Sequence, residues 1–243
     1  MRRFTIVTVV YNDIKNLERT CNSVAKQSFK DYEHLIIDGG STDGTVDYLR
    51  KLSEYSDKIR YISERDNGIY DAMNKAAPIS NGEYICFLNA ADKFATKDTL
   101  KEINELLSDK VDVLYGKCVF SSGFQKYHTI GRKLHFLNIL FDGYVAHQSV
   151  FAKKELLIMY PFDLQYKYQA DQDFMFRVRK DRYRLKYVDK VVSLYDGNGV
   201  SSDPQLFSVY QNERYSMLKK YCPIAYYIRQ IGHFALKRGF RQL

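Results

Sequence analysis

The chain has 243 residues, 27% of them charged, and carries a formal net charge of +8. This length suits one sizeable α/β domain that buries its own core, which excludes the small proteins that depend on disulfides for stability. The positive charge is compatible with an anionic partner, such as a phosphate-bearing substrate, a nucleic acid or a membrane surface. No apolar run reaches the ~20 residues of a membrane-spanning helix, so we expect a soluble or peripheral protein.

The cysteines and the N-terminal residues indicate the compartment. Cys21, Cys86, Cys118 and Cys222 lie far apart and show neither a CxxC pair nor metal-ligand spacing. The apolar run after Arg3 is only about six residues long, which is too short for the h-region of a signal peptide. We therefore expect a reduced protein in the cytoplasm.

Short apolar runs alternate with segments of helical spacing through the first half of the chain. The runs cover residues 5–10, 33–37, 59–62, 83–88 and 112–116, and the helical patterns cover residues 14–24, 46–52, 70–77 and 97–107. A strand followed by a helix, repeated in this way, predicts a parallel sheet flanked by helices.

Three of these runs end in polar turns. The turns read Tyr11-Asn12-Asp13, then DGGSTDGT at residues 38–45, then Asn89-Ala90-Ala91-Asp92. Because ligands bind along the edge where the carboxyl ends of parallel strands lie, we expect these turns to converge on a site. The glycines of the middle turn allow a nucleotide to approach the backbone closely, although a simple tight bend explains them as well.

The second half of the chain is less regular. Residues 117–151 show no alternation of strands with helices, and we expect them to complete the same domain. A helix is predicted at residues 171–180 and a strand at 184–194, followed by a polar loop at 195–204 and helical segments to the end.

Four motifs follow one another: Tyr11-Asn12, DGGSTDGT, ERDNGIYDAMNK at residues 64–75 and FLNAAD at residues 87–92. Their order resembles the family 2 glycosyltransferases over roughly the first two thirds of the chain. The resemblance implies the GT-A fold, an α/β, Rossmann-like and mostly parallel sheet flanked by helices. It implies a catalytic domain at residues 1–217, with a nucleotide-sugar half at 1–116 and an acceptor half at 117–217, before a basic amphipathic helical tail at 218–243.

The resemblance also implies an activity. An inverting glycosyltransferase would move a hexosyl or N-acetylhexosaminyl group from a nucleoside-diphosphate sugar, with UDP favoured, to a saccharide or polyprenol-linked acceptor. Such enzymes assemble bacterial surface polysaccharides. Asp171 matches the family's catalytic base, although Ala170 replaces the Glu that commonly precedes it. Taken without the family, Asp171 is a carboxylate favoured at a helix N-terminus.

Donor-binding residues follow from the same resemblance. Tyr11 and Asn12 are expected to line the base pocket, and Asp38 is expected to hydrogen-bond the base or ribose, whereas spacing alone favours Asp38 as a strand-end or capping carboxylate. Residues expected to face the donor sugar and diphosphate are Arg65, Asp66, Asp71 and Asn74, with a backbone bend at Gly68 and a carbonyl or ribose contact from Asn89. Lys75 is also explained by a solvated ion pair with Asp71.

Asp92 is the expected ligand of a divalent cation, Mn²⁺ or Mg²⁺, that would bridge the phosphates of the leaving group. The family often carries several acids at this turn, whereas residues 89–92 contain one carboxylate. On the acceptor side, the resemblance implies His147 and Asp173. A structural hydrogen bond explains His147 equally well.

Two other functions were weighed against this one. A nucleotidyltransferase would require a glycine-rich phosphate loop with a basic residue after the first strand, which Tyr11-Asn12-Asp13 does not provide. An RNA-binding module would show basic and aromatic residues interleaved on a sheet, and no such signature is present. No nucleic-acid partner is therefore expected.

The C-terminal tail has its own pattern. It contains no acidic residue, and its basic residues are Lys219, Lys220, Arg229, Lys237, Arg238 and Arg241. Ile224, Tyr227, Ile228 and Ile231 follow helical spacing. This composition predicts peripheral binding to anionic lipid on the inner face of the cytoplasmic membrane, and docking on the catalytic domain is the alternative.

Overall fold

The computed structural model describes residues 2–122, 125–134, 145–196 and 204–230. The strands are β1 (Arg2–Val10), β2 (Tyr32–Asp38), β3 (Ile59–Ser63), β4 (Gly82–Phe87), β5 (Lys93–Phe94), β6 (Val113–Ser122), β7 (Gln125–Ile130), β8 (Val150–Lys153) and β9 (Leu185–Asp196). The α-helices are α1 (Ile14–Ala25), α2 (Thr45–Tyr55), α3 (Ile69–Ile79), α4 (Thr99–Leu106), α5 (Lys154–Met159), α6 (Ala170–Lys180) and α7 (Phe207–Tyr221).

The strands form one sheet in the order β3-β2-β1-β4-β8-β6-β9-β5, with β7 paired to β6. β1 is parallel to both of its neighbours, β2 and β4. The chain therefore leaves β1 first toward β2 and β3 and later toward β4, which makes a topological switch point at β1. This is the predicted nucleotide-binding arrangement, and the α/β fold prediction is confirmed.

Antiparallel strands complete the sheet beyond β4. β8 pairs antiparallel with both β4 and β6, β7 pairs antiparallel with β6, and β5 pairs antiparallel with β9. The sequence did not predict β5, β7 or β8. β5 and β8 are only two and four residues long, which is too short for a period to show.

Helices cover both faces of the sheet. In β2, Leu35 and Ile37 pack with the α3, α5 and α6 side, whereas Ile36 packs with α1 and α2 on the other side. Strands buried on both faces read as continuous apolar runs, which explains why the parallel strands were the easiest elements to predict.

α7 continues through the boundary that the sequence predicted between residues 217 and 218. Leu218 and Ala225 are buried and pack with Leu134 and Phe176 of the catalytic domain. Residues 223–230 are also helical, so this part of the predicted tail is docked. Residues 231–243, and residues 197–203 of the predicted polar loop, lie outside the described part of the chain.

Within the described residues, no helix combines the length and the apolar content that crossing a membrane requires.

Candidate active site

Asn12 ties the turns after β1 and β2 together. Its backbone N–H donates to Oγ of Ser41 at 2.7 Å, and its Oδ1 accepts from the backbone N–H of Thr42 at 2.8 Å. Asn12 has a φ of 48°, in the left-handed region where Asn is enriched. Asn12 therefore shapes the predicted base pocket by holding the neighbouring turn.

Asp38 is fully buried within its own turn. Its Oδ2 accepts hydrogen bonds from the backbone N–H groups of Gly40 (3.2 Å) and Ser41 (3.0 Å) and from Oγ of Ser63 (2.6 Å). Its Oδ1 accepts from Oγ of Ser41. The carboxylate thus has no exposed atom for a base or ribose in this structure, and the contact that the resemblance implies stays a prediction. Asp38 is the strand-end carboxylate that spacing alone favours.

Tyr11 and Asp66 lie on either side of the space above Gly39. Gly39 has no side chain, and a methyl group placed on its Cα would lie 3.3 Å from Cδ2 of Tyr11 and 2.8 Å from Oδ2 of Asp66, so both side chains lie close to this glycine. Tyr11 is 65% exposed. Oδ1 of Asp66 accepts from the N–H of Gly68 at 3.0 Å, and Gly68 makes the predicted bend with a φ of 118°. Among the described residues Oδ2 has no hydrogen-bond donor. An exposed ring and an available carboxylate oxygen therefore lie close together.

Two predicted donor residues on α3 are engaged by other parts of the protein. Nδ2 of Asn74 donates to the carbonyl of Phe162 at 2.9 Å, and its Oδ1 accepts from the N–H of the same residue at 2.8 Å. Asp71 accepts from the backbone N–H of Asn67 at 2.8 Å. Both ends of the Asn74 amide hold the loop at Phe162 in this structure. Donor contact by Asn74 and by Asp71 stays a prediction.

Arg65 lies beside the same turns. Its side chain is exposed, and its Cγ lies 3.4 Å from the position of a methyl group on Gly40. Nζ of Lys75 donates to the carbonyl of Arg65 at 2.7 Å and lies 3.0 Å from Oε1 of Glu64. The ion pair expected for Lys75 is therefore present, with Glu64 in place of Asp71.

The turn after β4 directs Asp92 toward the protein interior. Asp92 is 2% exposed. Burial raises the pKa of the Cys118 thiol to about 12 and also raises that of Cys86, and the nearby charge of Asp92 adds to both shifts. The carboxylate thus lies close to two buried thiols.

These residues do not fit the predicted metal site. A divalent cation on a diphosphate needs several oxygen ligands facing the substrate, whereas this turn offers the Asn89 amide, two alanines and the buried Asp92. In the part of the chain that the structure describes, no group of three or more His, Cys, Asp or Glu could hold a metal ion. The burial of Asp92 argues against its predicted role as the cation ligand, and that role stays a prediction.

Asp171, at the N-terminus of α6, is linked to the turn after β4. Its Oδ1 accepts from the hydroxyl of Tyr70 at 3.1 Å and from the backbone N–H of Gln172 at 2.9 Å. Its Oδ2 lies 3.3 Å from Nδ1 of His147, whose Nε2 lies 3.0 Å from Nδ2 of Asn89. One hydrogen-bonded chain therefore connects the predicted base to the predicted donor turn.

The carboxylate and the imidazole are both reachable from outside. The side chains of Asp171 and His147 are 13% and 19% exposed. An apolar cavity of about 20 Å³ lies behind them, lined by residues such as Phe87 and Phe174. Burial, followed by the charge of Asp171, raises the pKa of Tyr70 well above its ordinary value, so its hydroxyl stays a proton donor.

Asp173 is held inside the protein. It is fully buried; its Oδ2 accepts from Nε of Arg177 at 2.7 Å, and its Oδ1 accepts from the hydroxyl of Tyr221 at 2.7 Å. Since Tyr221 belongs to α7, this carboxylate links α6 to α7. The predicted acceptor contact, which this burial argues against, stays a prediction.

α7 also holds the residues just before the base. The Glu213 carboxylate accepts from the backbone N–H groups of residues 167–169, at 2.7, 3.1 and 3.1 Å. The rings of Tyr168 and Tyr210 stack with centroids 4.9 Å apart. Three backbone donors that lead into α6 are thus satisfied by one side chain.

A second, larger cavity of about 630 Å³ lies at the amino ends of the parallel strands. Its charged side chains pair with each other, as in Arg2–Asp31 (4.0 Å) and Arg60–Glu33 (2.9 Å). Because open parallel sheets bind ligands at the carboxyl ends, we place the active site at the opposite edge despite the size of this cavity.

The sequence did not single out Tyr70, Gln172 or Glu213. Tyr70 and Gln172 stand inside motifs that were recognised, so a signal was available. Glu213 lies 44 to 46 positions from the N–H groups it binds, and no local pattern indicates that contact.

Comparison with known proteins agrees with this geometry. Residues 5–173 match the family model described as Glycosyl transferase family 2. A "PGL/p-HBAD biosynthesis glycosyltransferase" of Mycobacterium tuberculosis is 28% identical over 201 residues, which cover 81% of this chain and 77% of that protein.

Solved structures share the fold. The TarS 1–349 fragment of S. aureus in complex with UDP-GlcNAc has a TM-score of 0.70 at 21% identity, covering 89% of this chain and 66% of that one. The mannosyltransferase PcManGT of Pyrobaculum calidifontis, in complex with GDP-Man and Mn²⁺, has a TM-score of 0.65 at 18% identity, covering 95% and 64%. The chain thus spans just under two thirds of each of these.

The nucleotidyltransferase and RNA-binding alternatives do not agree with these matches. The parallel strands with their switch point, the turns that end them and the family model all lead to the same assignment. This chain belongs to glycosyl transferase family 2 and is a glycosyltransferase with the GT-A fold.

Proposed function

We propose that the protein transfers a sugar, with inversion, from a UDP-sugar to a hydroxyl of a saccharide or lipid-linked saccharide in the synthesis of a surface polysaccharide. The observation that carries the proposal is the position of Asp171, joined through His147 to the turn after β4. The similarity of this chain to a PGL/p-HBAD biosynthesis glycosyltransferase supports a cell-surface product. The UDP-GlcNAc bound to the TarS fragment supports the donor class.

The reaction is a single displacement. Oδ2 of Asp171 takes the proton of the acceptor hydroxyl, whose oxygen forms a bond to the anomeric carbon. The bond between that carbon and the phosphate oxygen breaks, and its electron pair leaves with the nucleoside diphosphate. Attack on the face opposite the leaving group inverts the configuration. The base needs only to be ionised and correctly placed.

The first test is Asp171→Asn. The amide keeps the shape of the side chain but cannot take the proton, so we expect kcat to fall at least about 100-fold while the affinity for UDP stays within a few fold. Release of UDP, GDP or dTDP from a panel of nucleotide sugars, with lipid-linked acceptors, measures the turnover. Asp57→Asn, whose side chain is 86% exposed at the opposite edge, is the matched control. Parental turnover by Asp171→Asn would exclude Asp171 as the base.

The nucleotide base is proposed to lie between Tyr11 and Asp66. A uracil ring stacks on an exposed aromatic face, and its N3–H donates to a carboxylate such as Oδ2 of Asp66. Cytosine has an acceptor at N3 in place of this donor, so its N3 lone pair and the carboxylate oxygen would repel each other. Asp66, rather than the buried Asp38, is thus the carboxylate suited to recognise the base.

This assignment predicts a change of selectivity in Asp66→Ala. A hydrogen bond to a charged group contributes about 1.5–3 kcal/mol. We therefore expect the parent to bind UDP at least about 10-fold more tightly than CDP. In Asp66→Ala the ratio of the two affinities should fall close to one. Calorimetric titration with both nucleotides measures it. Glu64→Ala, which removes a neighbouring exposed carboxylate, should keep the parental ratio. An unchanged ratio in Asp66→Ala would contradict the assignment.

A divalent cation remains a proposal, supported by the Mn²⁺ bound to PcManGT and opposed by the burial of Asp92. We therefore assign no catalytic step to it. When bound, such an ion would neutralise the charge that develops on the diphosphate.

Asp92→Asn separates the role of this side chain from that of the ion. Because Asp92 is buried, we expect the variant to respond to EDTA and to added Mn²⁺ as the parent does, whatever that response is, in both UDP affinity and turnover. If the parent responds to Mn²⁺ and the variant does not, Asp92 is a ligand after all.

A membrane surface is proposed as the place of action. Residues 223–230 dock through Ala225, whereas Ile224, Tyr227 and Ile228 are 66%, 61% and 45% exposed. These side chains, spaced three and four apart, lie near each other on the helix, and the exposed Lys219 precedes them. The neighbouring Lys220 lies 3.7 Å from Oδ1 of Asp173. An apolar stripe beside basic residues suits the interface of an anionic bilayer.

The triple substitution Ile224→Ser, Tyr227→Ser and Ile228→Ser tests this without disturbing the docked side. We expect the parent to sediment with vesicles that contain anionic phosphatidylglycerol, and the variant to remain in the supernatant at unchanged UDP affinity. Tyr55→Ser, which removes an 88% exposed ring on α2, is the control. Equal sedimentation of the triple variant and the parent would contradict the membrane assignment.

A further inference from the structure

His147 occupies a position that ordinary packing does not require. It begins a short 3₁₀ helix, His147–Ser149, immediately before β8. Its Nδ1 lies 3.3 Å from Oδ2 of Asp171, and its Nε2 lies 3.0 Å from Nδ2 of Asn89. One imidazole ring thus contacts both the base and the turn after β4.

The partners determine which ring nitrogen carries the proton. In this structure Nδ2 of Asn89 faces the ring, and because an amide nitrogen only donates, Nε2 is the accepting nitrogen in this orientation of the amide. The proton of the neutral ring is then on Nδ1, which donates to Oδ2 of Asp171. In this arrangement the His147 ring bridges Nδ2 of Asn89 and Oδ2 of Asp171, so the place of the carboxylate depends on that of Asn89.

The two oxygens of Asp171 differ in how closely they are held. Oδ1 accepts from the backbone N–H of Gln172 at 2.9 Å and lies 3.1 Å from the hydroxyl of Tyr70, whose single proton is shared with the carbonyl of Tyr168 at 2.9 Å. Oδ2 has only longer contacts, 3.3 Å to Nδ1 of His147 and 3.5 Å to Nε2 of Gln172. Oδ2 is therefore the oxygen that the acceptor hydroxyl can approach, and His147 is its nearest partner.

The backbone that carries His147 is itself fixed to the base helix. Oε1 of Gln172 lies 3.3 Å from the N–H of Val145, and Nε2 of Gln172 donates to the carbonyl of Val145 at 2.6 Å. Gln172 adjoins Asp171 in α6. The 3₁₀ helix and the base are therefore held as one unit, which prevents the ring from moving away from the carboxylate.

Asn89 has one polar atom unaccounted for. Its Oδ1 is buried without a hydrogen-bond partner in this structure. An unsatisfied buried oxygen costs about 1–3 kcal/mol, so a partner supplied by the bound donor, or by a rotated amide, would stabilise this turn. A donor that binds Oδ1 would hold the amide whose Nδ2 contacts Nε2 of His147.

We propose that His147 is a positioning residue that fixes Oδ2 of Asp171 and couples it to Asn89, so that the base is aligned when the donor occupies the turn. This inference rests on the proposed function, since it assumes that Asp171 is the base. His147 takes no proton from the substrate itself.

Two conservative substitutions separate the two contacts of the ring. Nδ2 of an asparagine occupies the position of Nδ1 and keeps the donor to Asp171, whereas the end of a glutamine side chain reaches the position of Nε2 and keeps the contact with Asn89. We expect His147→Ala and His147→Gln to lower kcat roughly 10- to 100-fold. His147→Asn should recover most of the loss, and the donor KM should stay within about threefold of the parental value in all three variants.

A double substitution distinguishes positioning from a structural role. If His147 acts through the carboxylate, His147→Ala lowers the residual turnover of Asp171→Asn by less than about twofold. A loss of melting temperature, donor affinity and kcat together, without recovery in His147→Asn, would overturn the inference in favour of a packing role. Turnover by His147→Ala at the parental rate would by itself overturn the inference that His147 positions the base. Absence of turnover by the parent with every donor would overturn the proposed function, and this inference with it.

Discussion

The parallel pairing of β1 with both β2 and β4 is the constraint on which the site depends. In this register Val10 lies beside Asp38 and Val7 beside Phe87, so the chain segments that follow all three strands emerge at the same edge. Backbone hydrogen bonds between strands enforce that alignment without any contribution from the turns. The sequences of the turns can therefore be polar and rich in glycine. Gly39 is an example, since its lack of a side chain leaves space between Tyr11 and Asp66.

The proposed catalytic carboxylate, Asp171, comes from the other half of the chain and needs separate support. Asp173, two residues after the base, is fully buried, and burying a charge is costly unless it is paired and hydrogen-bonded. Arg177 and the Tyr221 hydroxyl meet that requirement, and Glu213 satisfies the N–H groups before the helix. α7 thus supports the position of Asp171, because it contacts residues on both sides of this carboxylate.

Burial sorts the carboxylates of this site into two groups. Asp38, Asp92 and Asp173 are at most 2% exposed and maintain the turns and helices around the crevice. Asp66 and Asp171 keep an accessible oxygen, which a contact with a substrate requires. This division leaves the turn after β4 without a carboxylate that faces the diphosphate, a point on which this chain departs from the pattern of several acids that the resemblance implied.

The sequence by itself determined the order of the parallel strands β1 to β4 and of the helices that follow them, because doubly buried strands are local signals. It also indicated that the regular pattern ends near residue 117, and its turn motifs identified the family. It also located Asp171 correctly beside a helix start. Only the tertiary structure decided which polar side chains are free to act. Asn74 is engaged by Phe162, 88 positions away, and Asp173 by Tyr221, 48 positions away, while Tyr70 joins the base from 101 positions away. Hydrogen-bond partners at such separations leave no periodic trace, since a side chain's burial depends on what the fold packs against it.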